Sequence, residues 1–228
     1  MSGTPLIRCV DVARTYGRGA AATVALHGTT CRVQADDRIG LVGPSGSGKS
    51  TLLHLMAGLD APTVGTVEWP AIGSLDRLRA GALGIVFQGP SLLPPLNVLE
   101  NVGLPLVLAG LGDRDAALRA GEALELLDLG GIADKLPEEI SGGQAQRVAV
   151  ARAIAGEPKV ILADEPTGQL DQVNGSAVVD LLLAAADHAG AALVVSTHDP
   201  MVAGRMATEW RMADGRLQTN EREEAWSR

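Results

Sequence analysis

Three short runs in this chain combine residue types and spacings suited to chemistry on a phosphorylated ligand. The first is Gly43-Pro44-Ser45-Gly46-Ser47-Gly48-Lys49-Ser50-Thr51, of the form G-x-x-x-x-G-K-[ST]. Glycines at that spacing let backbone N–H groups close around phosphate oxygens. Lys49 reaches the terminal phosphates, and the Ser50 hydroxyl helps hold Mg²⁺. The second is Val160-Ile161-Leu162-Ala163-Asp164-Glu165, an apolar run ending in two carboxylates. Asp164 can orient Mg²⁺, and Glu165 is placed to orient an attacking water or take its proton. The third is Ile140-Ser141-Gly142-Gly143-Gln144. Ser141 and Gln144 fit a helix capping box, which alone accounts for both residues. The two glycines go beyond what a cap needs and favour close backbone approach to an anion at a helix start.

Single polar residues at the ends of apolar runs complete the set. Gln88 follows Ala82–Phe87, where it can see Mg²⁺ or water. His198 follows Ala192–Ser196, and a strand end in a parallel sheet is where ligands collect. Tyr16 is the one tyrosine of the chain and lies in a polar turn, where it can stack on a base. His27, His54 and His188 have no such context and are expected to be structural or exposed.

These residues need a scaffold that gathers strand ends. Leu6–Val12, Thr29–Val33, Ile39–Val42, Thr66–Trp69, Ala82–Gln88, Val160–Ala163 and Ala192–Ser196 read as strands. Ser50–Ala57 and Gly142–Ala155 read as helices. Another helix starts at Asp113, with Ala117, Ala120, Leu124 and Leu127 on one face. Val178, Leu181, Leu182 and Ala185 mark a further one. A helix from about Pro200 and a hairpin around Asp214-Gly215 close the pattern. Alternating strands and helices predict an α/β fold, a mainly parallel sheet covered on both faces. The stretch 89–156 reads as a helical insertion into it.

Composition narrows the classes. The 228 residues are 46 % apolar with a net charge of −8, which argues against general nucleic-acid binding. Cys9 and Cys31 have neither metal spacing nor a disulfide framework, and buried reduced thiols suit a cytosolic setting. The start of the chain lacks a secretory pattern, and no run approaches the ~18 apolar residues of a membrane span. The expected place is the cytoplasm, at the membrane only through a partner.

With these motifs in order, the chain resembles the ATP-binding subunit of an ABC transporter along essentially its whole length. Gly43–Thr51 looks like the Walker A loop, Gln88 the Q-loop glutamine and Ser141–Gln144 the signature. Val160–Glu165 looks like Walker B with its catalytic glutamate. Gly168-Gln169-Leu170-Asp171 falls at the D-loop, His198 at the switch histidine and Tyr16 at the adenine-stacking aromatic. Ile140 stands where the family usually has Leu, and Gly168-Gln169 where Ser-Ala is common. Thr167-Gly168-Gln169-Leu170-Asp171 and the segments 86–94 and 99–106 are closest to the lipoprotein-release and macrolide-export branch, although 69–83 looks shortened.

The resemblance implies a P-loop NTPase core, residues 1–88 and 157–228, with an antiparallel β-subdomain and a helical subdomain at 89–156, all in one domain spanning 4–228. It implies ATP and Mg²⁺ as cofactors, with Ser50, Gln88 and Asp164 near the metal and Glu165, His198, Gln88 and Lys49 in catalysis. It also implies a head-to-tail homodimer or heterodimer. In that dimer Ser141, Gly142, Gly143, Gln144 and Asp171 face the neighbour's nucleotide, and a permease on a separate chain docks near the segment after Gln88. A regulatory cell-division-type ATPase with a non-transporting partner, and a soluble non-transport ATPase, are the alternatives.

Overall fold

The computed structural model describes residues 3–219; residues 1–2 and 220–228, part of the expected domain, lie outside them. Its larger sheet has six strands in the order β5-β6-β7-β3-β8-β9. These are β3 (Arg38–Val42), β5 (Leu83–Val86), β6 (Val160–Asp164), β7 (Ala192–Thr197), β8 (Thr208–Ala213) and β9 (Arg216–Thr219). All pairings are parallel except β8–β9, a hairpin at the sheet edge. β6 and β7 are buried at every position. That is why they read as unbroken apolar runs rather than alternating ones.

A second, antiparallel sheet has the order β2-β1-β4, from β1 (Ile7–Tyr16), β2 (Thr23–Val33) and β4 (Val64–Glu68). β1 and β2 extend well past the expected Leu6–Val12 and Thr29–Val33. Apart from the buried Leu26, their added residues are polar, half-buried or exposed, because this part of the sheet has an open face. Register shifts between Cys9 and Val12, and again near Arg14, mark bulges in β1 that weaken its alternation.

The helices are α1 (Lys49–Met56), the one-turn α2 (Leu75–Arg77), α3 (Val98–Leu108), α4 (Asp113–Leu126), α5 (Gly142–Ile154), α6 (Gln172–Ala189) and α7 (Pro200–Ala203). α3, α4 and α5 fall between β5 and β6, in the stretch expected to be helical. Asn97 caps α3 and Ser141 caps α5, each with a full capping box. α4 turns a slightly different face inward than its spacing predicts. Ala116, Ala120, Ala123 and Leu124 are buried, and Ala117 is exposed. An alanine gives little apolar area to fix helix rotation, so packing by its neighbours decides.

The apolar core is two clusters separated by the parallel sheet. Ile161, Ala163, Leu193 and Val195 join α3, α4, α5 and α6 in one cluster. Val160, Leu162, Ala192 and Val194 join α1 and the antiparallel sheet in the other. Alternate residues of the same two strands thus serve opposite faces.

Candidate nucleotide site

The loop Gly43–Gly48 leads from β3 into α1. Gly48 has φ +103, and a Cβ there would lie 2.5 Å from the Ala25 carbonyl oxygen. Only glycine allows both the left-handed turn and this approach. The loop folds back on Lys49, whose Nζ donates to the carbonyls of Gly43 (2.8 Å) and Pro44 (3.1 Å). Ser47 Oγ is buried without a hydrogen-bond partner among the described residues. An unsatisfied buried hydroxyl in a glycine-rich loop at a helix start fits an anion as its missing partner.

The two carboxylates come from the end of β6. Asp164 Oδ1 accepts from Ser50 Oγ at 3.0 Å and from Ser196 Oγ at 2.5 Å. Glu165 takes φ +43, a strained backbone for a glutamate of the kind found at functional sites. Its N–H donates to the Ser196 carbonyl and hydroxyl oxygens. Its Oε1 lies 3.1 Å from Lys49 Nζ, and its Oε2 lies 3.0 Å from His198 Nδ1. Three of the expected catalytic residues therefore meet at one carboxylate, although they come from three separate elements. Lys49 is 4 % exposed, so its charge needs this pairing.

Gln88 lies against the loop after Glu165. A Cβ on Gly168 would come 3.3 Å from its Nε2. The described hydrogen bonds do not join Gln88 to Ser50 or Asp164. Asp171 caps α6, accepting from Asn174 N–H (2.9 Å) and Asn174 Nδ2 (2.6 Å). Those bonds hold its carboxyl below the ordinary value.

The described hydrogen bonds of the run Ser141–Gln144 do not reach Gly43–Thr51. Ser141 Oγ accepts from Gln144 N–H, and Gln144 Oε1 accepts from Ser141 N–H. A Cβ on Gly142 would meet nothing within 4 Å, and one on Gly143 would meet only Asn174. The second anion-type helix start thus faces outward. Tyr16 lies at the end of β1, with its hydroxyl donating to Asp60 Oδ2 at 2.9 Å.

Several participants were not legible beforehand. Ser196 pairs in register with Asp164 across β6–β7. A polar residue ending an apolar strand was the available signal. His54, expected to be structural or exposed, has Nε2 3.9 Å from Asp164 Oδ2. It sits one turn after Ser50 on the same face of α1. Gln146, 2 % exposed, donates from Nε2 to the Phe87 carbonyl (3.2 Å), and Arg152 donates to the carbonyls of Pro90 and Ser91. No local pattern announces such contacts, because their partners are backbone oxygens far away in sequence.

The ABC transporter family profile matches residues 26–168, which hold the glycine loop, Gln88, the Ser141 run and Asp164-Glu165. This chain belongs to the ABC transporter family. The cassette is 43 % identical over 215 residues to a lipoprotein-releasing system ATP-binding protein, LolD, of Legionella pneumophila. That match covers 91 % of this chain and 95 % of the relative. The LolD protein of Shewanella denitrificans is 40 % identical over 227 residues, 96 % of this chain and 97 % of its own. Among solved structures, a dimeric ATP-binding cassette in a post-hydrolysis state with ADP and Pi superposes with a TM-score of 0.81. It shares 35 % identity, over 95 % of this chain and 99 % of that one. A second dimeric structure of that bacterial cassette gives the same TM-score at 36 % identity. The α/β cassette architecture expected from the motifs is thus the observed one, and among the described residues no helix is long and apolar enough to cross a membrane.

Proposed function

We propose that this cassette is the ATP-hydrolysing motor of a transporter whose permease is a separate chain, and that its cargo is lipoprotein extracted from the membrane. The meeting of Lys49, Glu165 and His198 beside the Ser50–Asp164 pair carries the catalytic part of this reading. The cargo rests on the LolD relatives.

Lys49 is paired with Glu165. A triphosphate in the loop offers Lys49 a stronger anionic partner and leaves the carboxylate to face water. Ser50 and Asp164 are hard oxygen donors at hydrogen-bond distance, a donor set that fits Mg²⁺. Held by Ser50 and Asp164, the ion would supply positive charge against the charge of the phosphates. Glu165 then orients a water and takes its proton as the water oxygen bonds to the γ-phosphorus. The bond to the β–γ bridging oxygen breaks, leaving ADP and phosphate. His198 holds Glu165 in place through its second oxygen. Gln88, beside Gly168, is the residue left to meet the metal or the water.

Ser141, Gly142 and Gly143 face outward, as expected if they complete the nucleotide site of a second cassette. Dimeric solved relatives support that assembly. The helical lobe at 89–156 carries the motion. An open groove of about 480 Å³ along α3 and α4, lined by Leu96, Leu99, Leu104 and Val107, lies after Gln88 and suits the permease. The working place is the cytoplasmic face of the membrane, reached through that partner.

Glu165→Gln tests the reading. The variant is expected to bind ATP, lose hydrolysis and accumulate as an ATP-bound dimer in size-exclusion chromatography. Wild-type turnover would remove Glu165 from the water-activating role.

A further inference from the structure

We propose that Arg14 and Asp60 are positioning residues that hold Tyr16 as a ready-made stacking platform for the base of the nucleotide. The inference rests on the reading of Tyr16 as the residue that meets the base, and it assigns two further residues to that task.

Tyr16 is 40 % exposed at the end of β1, where a lone ring would hop between rotamers and lose that freedom on binding. Here the ring is fixed twice. Its hydroxyl donates to Asp60 Oδ2 at 2.9 Å. The Arg14 guanidinium carbon lies over the ring, 4.6 Å from its centroid, within cation–π range. Arg14 and Asp60 close the triad through an ion pair of 2.8 Å, both side chains about three-quarters buried. One face of the ring is taken by Arg14, so a base would stack on the other.

The triad is also tied to the phosphate loop. Asp60 and Leu59 N–H groups bond the His54 carbonyl at the end of α1, the helix that begins with Lys49. Thr63 N–H bonds the Ala13 carbonyl, and Thr15 N–H bonds Thr63 Oγ1. On the other side, Ala25 touches Gly48. Its neighbours on β2, Val24 and Leu26, pair with Thr15 and Arg14. Residues 13–16 are thus held between the loop that cradles phosphate and the turn that ends α1. Such preorganisation lowers the ordering cost of binding rather than adding a contact.

The test compares binding of Mg-ATP and Mg-tripolyphosphate by calorimetry, because only the former carries a base. It is joined by NMR of ring-labelled tyrosine, which gives one set of signals because the chain has one Tyr. Stacking predicts that ATP shifts the Tyr16 ring signals and tripolyphosphate does not. Tyr16→Ala is expected to weaken ATP about tenfold, on the scale of base–aromatic stacking. Arg14→Gln and Asp60→Ala are expected to weaken it about two- to fivefold, on the scale of an exposed cation–π contact. Tripolyphosphate affinity stays unchanged in all three. Arg14→Lys recovers part of the loss, and Arg14→Gln adds nothing once Tyr16 is Ala. ATP binding at wild-type strength in Arg14→Gln and Asp60→Ala, with Tyr16→Ala weakened, overturns the positioning role and leaves the stacking role standing. Unchanged ATP binding in Tyr16→Ala overturns stacking itself. Parallel losses for both ligands make the triad a fold element and overturn the proposal as well.

Discussion

At the scale of single residues, the site depends on side chains that answer one another across elements. Ser196 is fully buried and serves both carboxylate residues, donating to Asp164 and accepting from the Glu165 N–H. Ser196→Ala removes one of the two hydroxyls that donate to the Asp164 carboxylate and one of the two acceptors of the Glu165 N–H, a change worth about 1–3 kcal/mol. The expected outcome is a lower melting temperature, with hydrolysis reduced more than ATP affinity. Equal losses in both would place Ser196 in ground-state binding. Asp60 gives a pH statement. Partial burial pushes its carboxyl up, but the Tyr16 hydroxyl, the Ala61 N–H and Arg14 outweigh this and hold it below the usual range. A depressed carboxylate contributes stability that is complete above its unfolded value and fades as pH falls through the folded one. The Tyr16 ring signals are therefore expected to be constant across the neutral range and to move only in strong acid. Asp164 and Glu165 were legible because they end an apolar run. The φ of +43 at Glu165 was not, because backbone strain leaves no mark in residue type.

Among the elements, α5 has the most to do. Its Ser141 cap builds an outward-facing helix start, and Gln146 and Arg152 grip backbone carbonyls at Phe87, Pro90 and Ser91. One helix thus joins the surface we propose for a neighbour's phosphate to the chain on both sides of Gln88. Ser141→Arg is expected to leave ATP binding by the monomer intact and to abolish the ATP-dependent dimer, read by light scattering. Lost binding in the monomer would assign the segment to its own chain's site. Arg152→Ala is expected to raise amide exchange at residues 88–92 while α5 itself stays protected. The start of α5 could be read from its capping box. The rotation of α4 could not, because its alanines bury too little area to choose a face. The lengths of β1 and β2 escaped for a related reason: bulges and an open sheet face erase alternation.

For the whole molecule, the parallel sheet is a wall between two apolar clusters. Leu124→Ala, in the helical cluster, and Leu162→Ala, in the other, each remove a buried side chain from a packed face. Each is expected to cost about 2–5 kcal/mol. Their effects are expected to add in chemical denaturation, since the two sites share no cluster. The transport reading belongs to this scale too. Affinity isolation from detergent-solubilised membranes is expected to recover a multi-span permease, and recovery of ribosomes or nucleic acid alone would sink it. Fold class and motif order were readable from the sequence because phosphate chemistry constrains local residues. The resemblance pointed to the segment after Gln88 as the docking region, but the groove between α3 and α4 was not readable, because no local pattern announces a groove made by two helices.

The opposed cysteines of the antiparallel sheet offer a use of their own. Cys9 and Cys31 are direct partners across β1–β2, buried at 0 and 2 % exposure, and they are the chain's whole complement of thiols. A thiol-specific reagent can reach them only when that sheet opens. The labelling rate is therefore a clock for one subdomain, free of signal from anywhere else. Since Arg14 and Tyr16 lie on the same strand, ATP should slow that clock.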